Sequence, residues 1–206
     1  MPRMPVEDRR KALVEAAFDV IAEHGVENAT TRTICSHAGM PLASFHYAFD
    51  SRDDLLRRVM LTIAPMAIDS WVATMVPPAD APVLGRAGLD DHLRANLGMF
   101  RSVLESGPGR MRACVSLALY AQSHPPLAAA AKEMFEHLYT IAERSLIEAA
   151  DNMGVHWLSS PRQLAQFLVG TTCAATLVYL ATADTAAVDN IVDGSLEMLM
   201  SHVADN

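Results

Sequence analysis

The 206-residue sequence holds only three cysteines, Cys35, Cys114 and Cys173, widely separated and without a CxxC pair. An odd, scattered set builds neither a disulfide framework nor a zinc site, and free thiols fit a reducing cytoplasm. Aromatics are scarce at 6%, and no run alternates polar and apolar residues as a half-buried strand would. The start of the chain, MPRMPVEDRRKALVEAAF, lacks the apolar core of a secretory signal. Catalytic signatures are missing as well. The eight histidines form no HxxxH, HExxH or ExxH pair, and no GxSxG elbow, P-loop or dinucleotide fingerprint occurs. Asp90-Asp91-His92 and Glu133 with His137 are the nearest clusters, and each reads as a solvated helix face. No catalytic residue, metal site or cofactor is therefore expected.

What is abundant points to helices. The chain is 51% hydrophobic and 19% charged, with twelve methionines, a composition that buries a sizeable core. Long stretches rich in Ala, Leu, Met and Glu favour helix. The net charge of −8 is unevenly placed: residues 1–60 hold eight Lys/Arg against nine Asp/Glu, and residues 61–206 hold eight against fifteen. Local patches rather than the total set affinity for polyanions, and Arg9, Arg10 and Lys11 form one such patch. From Leu164 to Ala183 twenty residues carry no charge, long enough to span a membrane. Gln166, Thr171, Thr172, Thr176 and Thr182 interrupt the run and its flanks lack a basic cluster. It reads as a helix buried on all sides in a bundle or dimer core, with no membrane involved.

Periodicity predicts about nine helices and an all-α fold. Leu13, Ala16, Ala17, Val20 and Ile21 make one stripe, stopped by Gly25. Thr30 caps a short second helix that Gly39 ends; Pro41 opens a third, Leu42 to Ala48. Asp50 and Ser51 offer the next cap. The fourth helix keeps its period through Leu55, Leu56, Val59, Met60, Ile63, Ala67, Ile68, Trp71 and Met75, with a kink expected at Pro65. After the loop at residues 77–82, helices are predicted near 89–104, 111–123, from Pro125-Pro126 to Gly154, from Ser160-Pro161, and from Asp184 to about Val203.

The second and third helices with the Gly39 turn form a helix-turn-helix, in which the later helix enters the major groove and the earlier one braces it. Residues 30–56, TTRTICSHAGMPLASFHYAFDSRDDLL, resemble the TetR family signature. Its elements here are Ala38-Gly39-Met40-Pro41, then Ala43 to Phe49, then Arg52, Leu55 and Leu56; Ile21 to Gly25 match too. The resemblance is close over about residues 9–60. It implies a three-helix DNA-binding domain at 1–52 and a helical ligand-binding and dimerisation domain at 53–206. Arg32, Leu42, Ala43 and Ser44 would face base edges; Thr31, Tyr47 and Arg52 would hold phosphates. His46 replaces a usual tyrosine and still offers a donor to phosphate, while Ala48 removes a polar contact.

The resemblance further implies a repressor of a pseudo-palindromic double-stranded operator, released by a small-molecule effector. For the effector, Trp71, Asn96, Phe100, Tyr120, His137, Tyr139, Phe167 and Thr171 are the candidate ligand-binding residues, and their character suits an apolar or amphipathic molecule. Gly170 and Ala174 allow close helix approach, and Val188, Ile191, Val192, Leu196 and Leu199 stripe the final helix. The last two helices are thus the expected homodimer interface. A helical dimeric scaffold, or an unrecognised enzyme without specific DNA binding, is the alternative.

Overall fold

The computed structural model describes residues 5–73, 76–80, 82 and 84–205, apart from the side chains at 67, 68, 70–72 and 205. The chain forms two compact units, Met1–Ala67 with Gly109–Phe135, and Ile68–Pro108 with Glu136–Asn206. Its helices are α1 (Val6–His24), α2 (Thr31–His37), α3 (Leu42–Ala48), α4 (Arg52–Leu61), α5 (Ile63–Val72), α6 (Gly85–Ser106), α7 (Gly109–Gln122), α8 (Ala128–Met153), α9 (Pro161–Thr182) and α10 (Thr185–Ser201). Among the described residues these are the expected nine rods, with the fourth broken into α4 and α5.

Pro65 explains the break. Without an N–H it cannot donate to Leu61, and its ring crowds that carbonyl. The helix stops one turn earlier, at Thr62, whose φ of −123° leaves the helical range, and whose hydroxyl donates to the Arg58 carbonyl at 2.7 Å.

In the first unit α1 packs against α2, α3, α4 and α7. Leu13, Ala17 and Ile21 of α1 are fully buried, as are Ile34 of α2 and Leu55, Leu56, Val59 and Met60 of α4. α4 contributes a whole face to this core, and the unit runs to Ala67. It also takes in α7, whose Ala113 and Leu117 are fully buried. Cap chemistry sets the helix starts. Thr30 and Thr33 form a reciprocal capping box at α2, and the Ser51 hydroxyl accepts from the Asp54 N–H at 3.0 Å.

In the second unit α10 lies against both α6 and α9. Leu89, Leu93, Leu97, Phe100 and Leu104 of α6 form one buried stripe; Val188, Leu196 and Leu199 of α10 form another. Asp184 caps α10, accepting from the Ala187 N–H at 3.1 Å. Two short strands join the unit's ends within the otherwise helical fold. β1 (Val155–Trp157) pairs antiparallel with β2 (Val203–Asp205), Trp157 opposite Val203. Gly154, at φ +68°, turns the chain out of α8, and the Trp157 indole N–H donates to the Leu146 carbonyl at 2.8 Å.

Candidate nucleic-acid interface

The turn between α2 and α3 is a Schellman motif. The Gly39 N–H donates to the Ser36 carbonyl at 3.1 Å and the Met40 N–H to the Cys35 carbonyl at 2.8 Å. Gly39 sits at φ +65°, the left-handed conformation this motif requires and glycine tolerates. The chain leaves in extended form through Pro41 and opens α3 directly.

Phe45 and Ala48 of α3 point into the core, at 1% and 3% exposure, and Phe49 closes behind them. The opposite face carries Leu42, Ala43, His46 and Tyr47, all exposed, with Ser44 half-buried beside them. Tyr47 is 69% exposed, a large ring in water on a helix whose other aromatic is fully packed. His46 lies edge-on to Phe45, ring centroids 5.7 Å apart, which orients the imidazole. On α2 Arg32 is exposed and Thr31 half-buried. Seven of the eight expected DNA contacts therefore cluster on α3 and the first turn of α2.

Arg52, the eighth, begins α4. Its guanidinium turns inward. Nε donates to the Ala29 carbonyl at 2.7 Å, one Nη donates to the Val26 carbonyl, and the other to the Tyr120 hydroxyl at 2.6 Å. The basic cluster at the start of α1 is likewise partly engaged: Arg10 Nε donates to the Ala48 carbonyl at 2.9 Å and pairs with Glu7 at 3.0 Å. A cation at the C-terminus of α3 favours its dipole and satisfies a carbonyl the helix leaves open. Sequence gives no hint of such contacts, because every residue presents the same carbonyl. Arg112 of α7 repeats the device at the end of α1, donating to the Ala22 carbonyl. Cys35 is packed inside, and burial pushes its thiol up.

Of the expected ligand residues described in the second unit, Phe100 and Thr171 line one crevice. Asn96 and Phe100 are buried in α6, and the Asn96 amide donates to the His92 carbonyl at 2.8 Å. Thr171 of α9 joins Phe100 at a crevice shared with Leu97, Leu168, Ile191 and Ser195, with free space of about 10 Å³, room for about one water. His137 is exposed, and Tyr139 has the Arg162 guanidinium 5.2 Å from its ring centre. Phe167 is 39% exposed on α9. Tyr120 belongs to the first unit, where it holds Arg52. The side chain of Trp71, like Met75, lies outside the described residues.

The family described as bacterial regulatory proteins, tetR family, matches residues 13–59, from α1 through most of α4. The chain is a TetR-family transcriptional regulator. Its resemblance to the "HTH-type nicotine-responsive transcriptional repressor HdnoR" of Paenarthrobacter nicotinovorans runs nearly end to end, 23% identical over 95% of this chain and 97% of that one. The regulator BetI of Agrobacterium fabrum is 44% identical over 57 residues, covering 27% of this chain and 28% of the relative. A TetR-family structure from Rhodococcus sp. shares the fold at a TM-score of 0.72 and 16% identity, covering 94% of this chain and 99% of that one.

Proposed function

We propose that this TetR-family regulator is a cytoplasmic, non-enzymatic repressor that holds a pseudo-palindromic operator as a homodimer and releases it to a small apolar or amphipathic effector. The observation that carries the reading is the outer face of α3. Leu42, Ala43, Ser44 and His46 present a small-residue, mildly polar surface that can approach base edges, with Arg32 beside it and Tyr47 and Thr31 in reach of phosphates. Arg32 makes no hydrogen bond or ion pair among the described residues, which leaves its planar fork available for guanine.

The dimer is assigned mainly to α9. The long uncharged helix is not buried all round: Gln163, Gln166, Phe167, Gly170, Ala174, Leu177 and Leu180 are exposed along one side. An apolar face of that length on a soluble unit fits an interface between copies. The same helix is long and apolar enough to cross a membrane by length and composition, but its other side packs in the core of the second unit. The apolar stripe of α10 is shared: Val188 and Leu199 are fully buried inside the subunit, and Ile191 and Val192 are half-buried and available beside α9.

Ligand-released repression is favoured by the end-to-end relative, which is named for a response to nicotine. The helices of the second unit would have to part to admit an effector beside Phe100 and Thr171, because the crevice there is closed. Fluorescence anisotropy against DNA upstream of its own gene and against scrambled DNA tests the proposal, over a salt series. Specific binding with a steep salt slope is expected. Arg32→Ala should weaken operator binding by about ten- to a hundredfold and scrambled-DNA binding far less. No preference for the operator at any salt, from a folded dimer, defeats the reading.

A further inference from the structure

Arg52 begins α4 at the motif position associated with phosphate contact, yet its donors are directed into the first unit. Nε and both Nη groups each have an acceptor: the carbonyls of Ala29 and Val26, and the Tyr120 hydroxyl. Val26 begins the 3-10 turn Val26–Asn28 and Ala29 follows it, leading into Thr30, the cap of α2. Asn28 belongs to the same lattice of bonds, since its carbonyl accepts from the Thr33 hydroxyl at 2.7 Å. The position of α2 is therefore specified by a loop that Arg52 grips from inside, and α3 follows across the Gly39 turn.

Tyr120, the far partner, is itself fixed. The His124 ring stacks on it with centroids 3.6 Å apart and planes 14° from parallel. His124 Nδ1 lies 2.8 Å from the Tyr120 carbonyl oxygen. The next turn of chain, Pro125–Leu127, packs against α4. A continuous set of polar and ring contacts thus runs from His124 through Tyr120 and Arg52 to the loop that starts the helix-turn-helix.

We infer that Arg52 and Tyr120 are positioning residues for operator recognition: together they set the placement of α2 and α3 from within the unit, and Arg52 does not bind phosphate. The inference rests on the regulator reading, and it makes a separable statement about salt. Each phosphate contact releases counterions and steepens log K against log [salt] by about 0.9, whereas an internal tether adds nothing to that slope. It also assigns a role in DNA reading to a tyrosine 68 residues beyond its partner.

Full-length protein, Arg52→Ala and Tyr120→Phe are titrated on operator and scrambled duplexes over a salt series. Hydrogen–deuterium exchange of residues 26–34 is measured in the same proteins without DNA. Tyr120→Phe should lower operator affinity about three- to tenfold, from loss of one hydrogen bond to a charged group, and Arg52→Ala should lower it more. Both should keep the parent salt slope, and both should exchange faster over 26–34. A slope shallower by about one unit in Arg52→Ala, with Tyr120→Phe unchanged in affinity and exchange, overturns the inference. Should Arg52→Ala fail to fold, Tyr120→Phe decides, since it keeps the ring and its stacking. If the parent shows no operator preference, the regulator reading fails; faster exchange in Tyr120→Phe then still supports the tether, and unchanged exchange defeats it.

Discussion

In the first unit the inward arginines donate to backbone carbonyls: Arg10 to Ala48, Arg52 to Val26 and Ala29, Arg112 to Ala22. In the second unit most arginines meet carboxylates on other helices instead. Arg101 of α6 reaches Asp189 of α10 at 2.9 Å, and Arg144 of α8 reaches Asp69 of α5 at 2.8 Å. Arg86 is the exception, donating to the Met200 and Val203 carbonyls where α10 ends. The two habits do different things. A bond to a carbonyl at a helix end or turn pins the main chain itself, and so fixes where the next helix begins. An exposed pair between flexible side chains is screened by solvent and leaves the backbone nearly unconstrained. The unit that carries the helix-turn-helix uses the first habit, and the unit in which we propose that helices part for an effector uses the second.

That contrast can be broken or sharpened by three substitutions. The largest effect is expected in the reading head, where Phe45→Ala empties a fully packed site. It should cost about 3–5 kcal/mol of stability in denaturant unfolding and abolish operator binding; a loss below about 1 kcal/mol would mean that the core beneath α3 is looser than its burial implies. Leu177→Asp comes next. At 46% exposure on α9, it should leave the subunit's helicity intact while shifting sedimentation from dimer to monomer, and an unshifted dimer would move the interface off this face. Asp189→Ala is expected to do least. Both partners of the Arg101 pair are 43% exposed, so the loss should stay below about 1 kcal/mol, and a larger one would show that side-chain pairs hold the second unit after all.

The reading head was largely legible because its signals are local. Thr30, Gly39, Ser51 and the Phe45–Phe49 spacing each specify backbone geometry within a few residues. The residues of α3's outer face were named by the family signature, whereas Ala48, expected as a lost polar contact, is buried at 3% exposure and packs in the core. Arg52 was not legible, since its acceptors are carbonyls and its third partner lies on α7. The break at Thr62 sits one turn ahead of the proline that causes it, so periodicity ran across it. In the second unit an apolar stripe says that a face is covered but not by what. Val188, Leu196 and Leu199 of the α10 stripe are buried within the unit while Ile191 and Val192 are half-buried, and the uncharged run of α9 is exposed along one side, a distinction the patterns alone do not carry. The three-residue strands gave too short a pattern to read.

The first unit is assembled from two separate stretches of chain, Met1–Ala67 and Gly109–Phe135. During translation the motif that reads DNA emerges early but waits for α7, and for the Tyr120 hydroxyl, until about three-fifths of the protein has been made. At roughly 5–20 residues per second, the nascent head stands for several seconds with the α1 surface that α7 will cover still open to water and chaperones. A fragment cut after Ala67 keeps that open surface for good, so a chimera meant to borrow this head should carry both stretches.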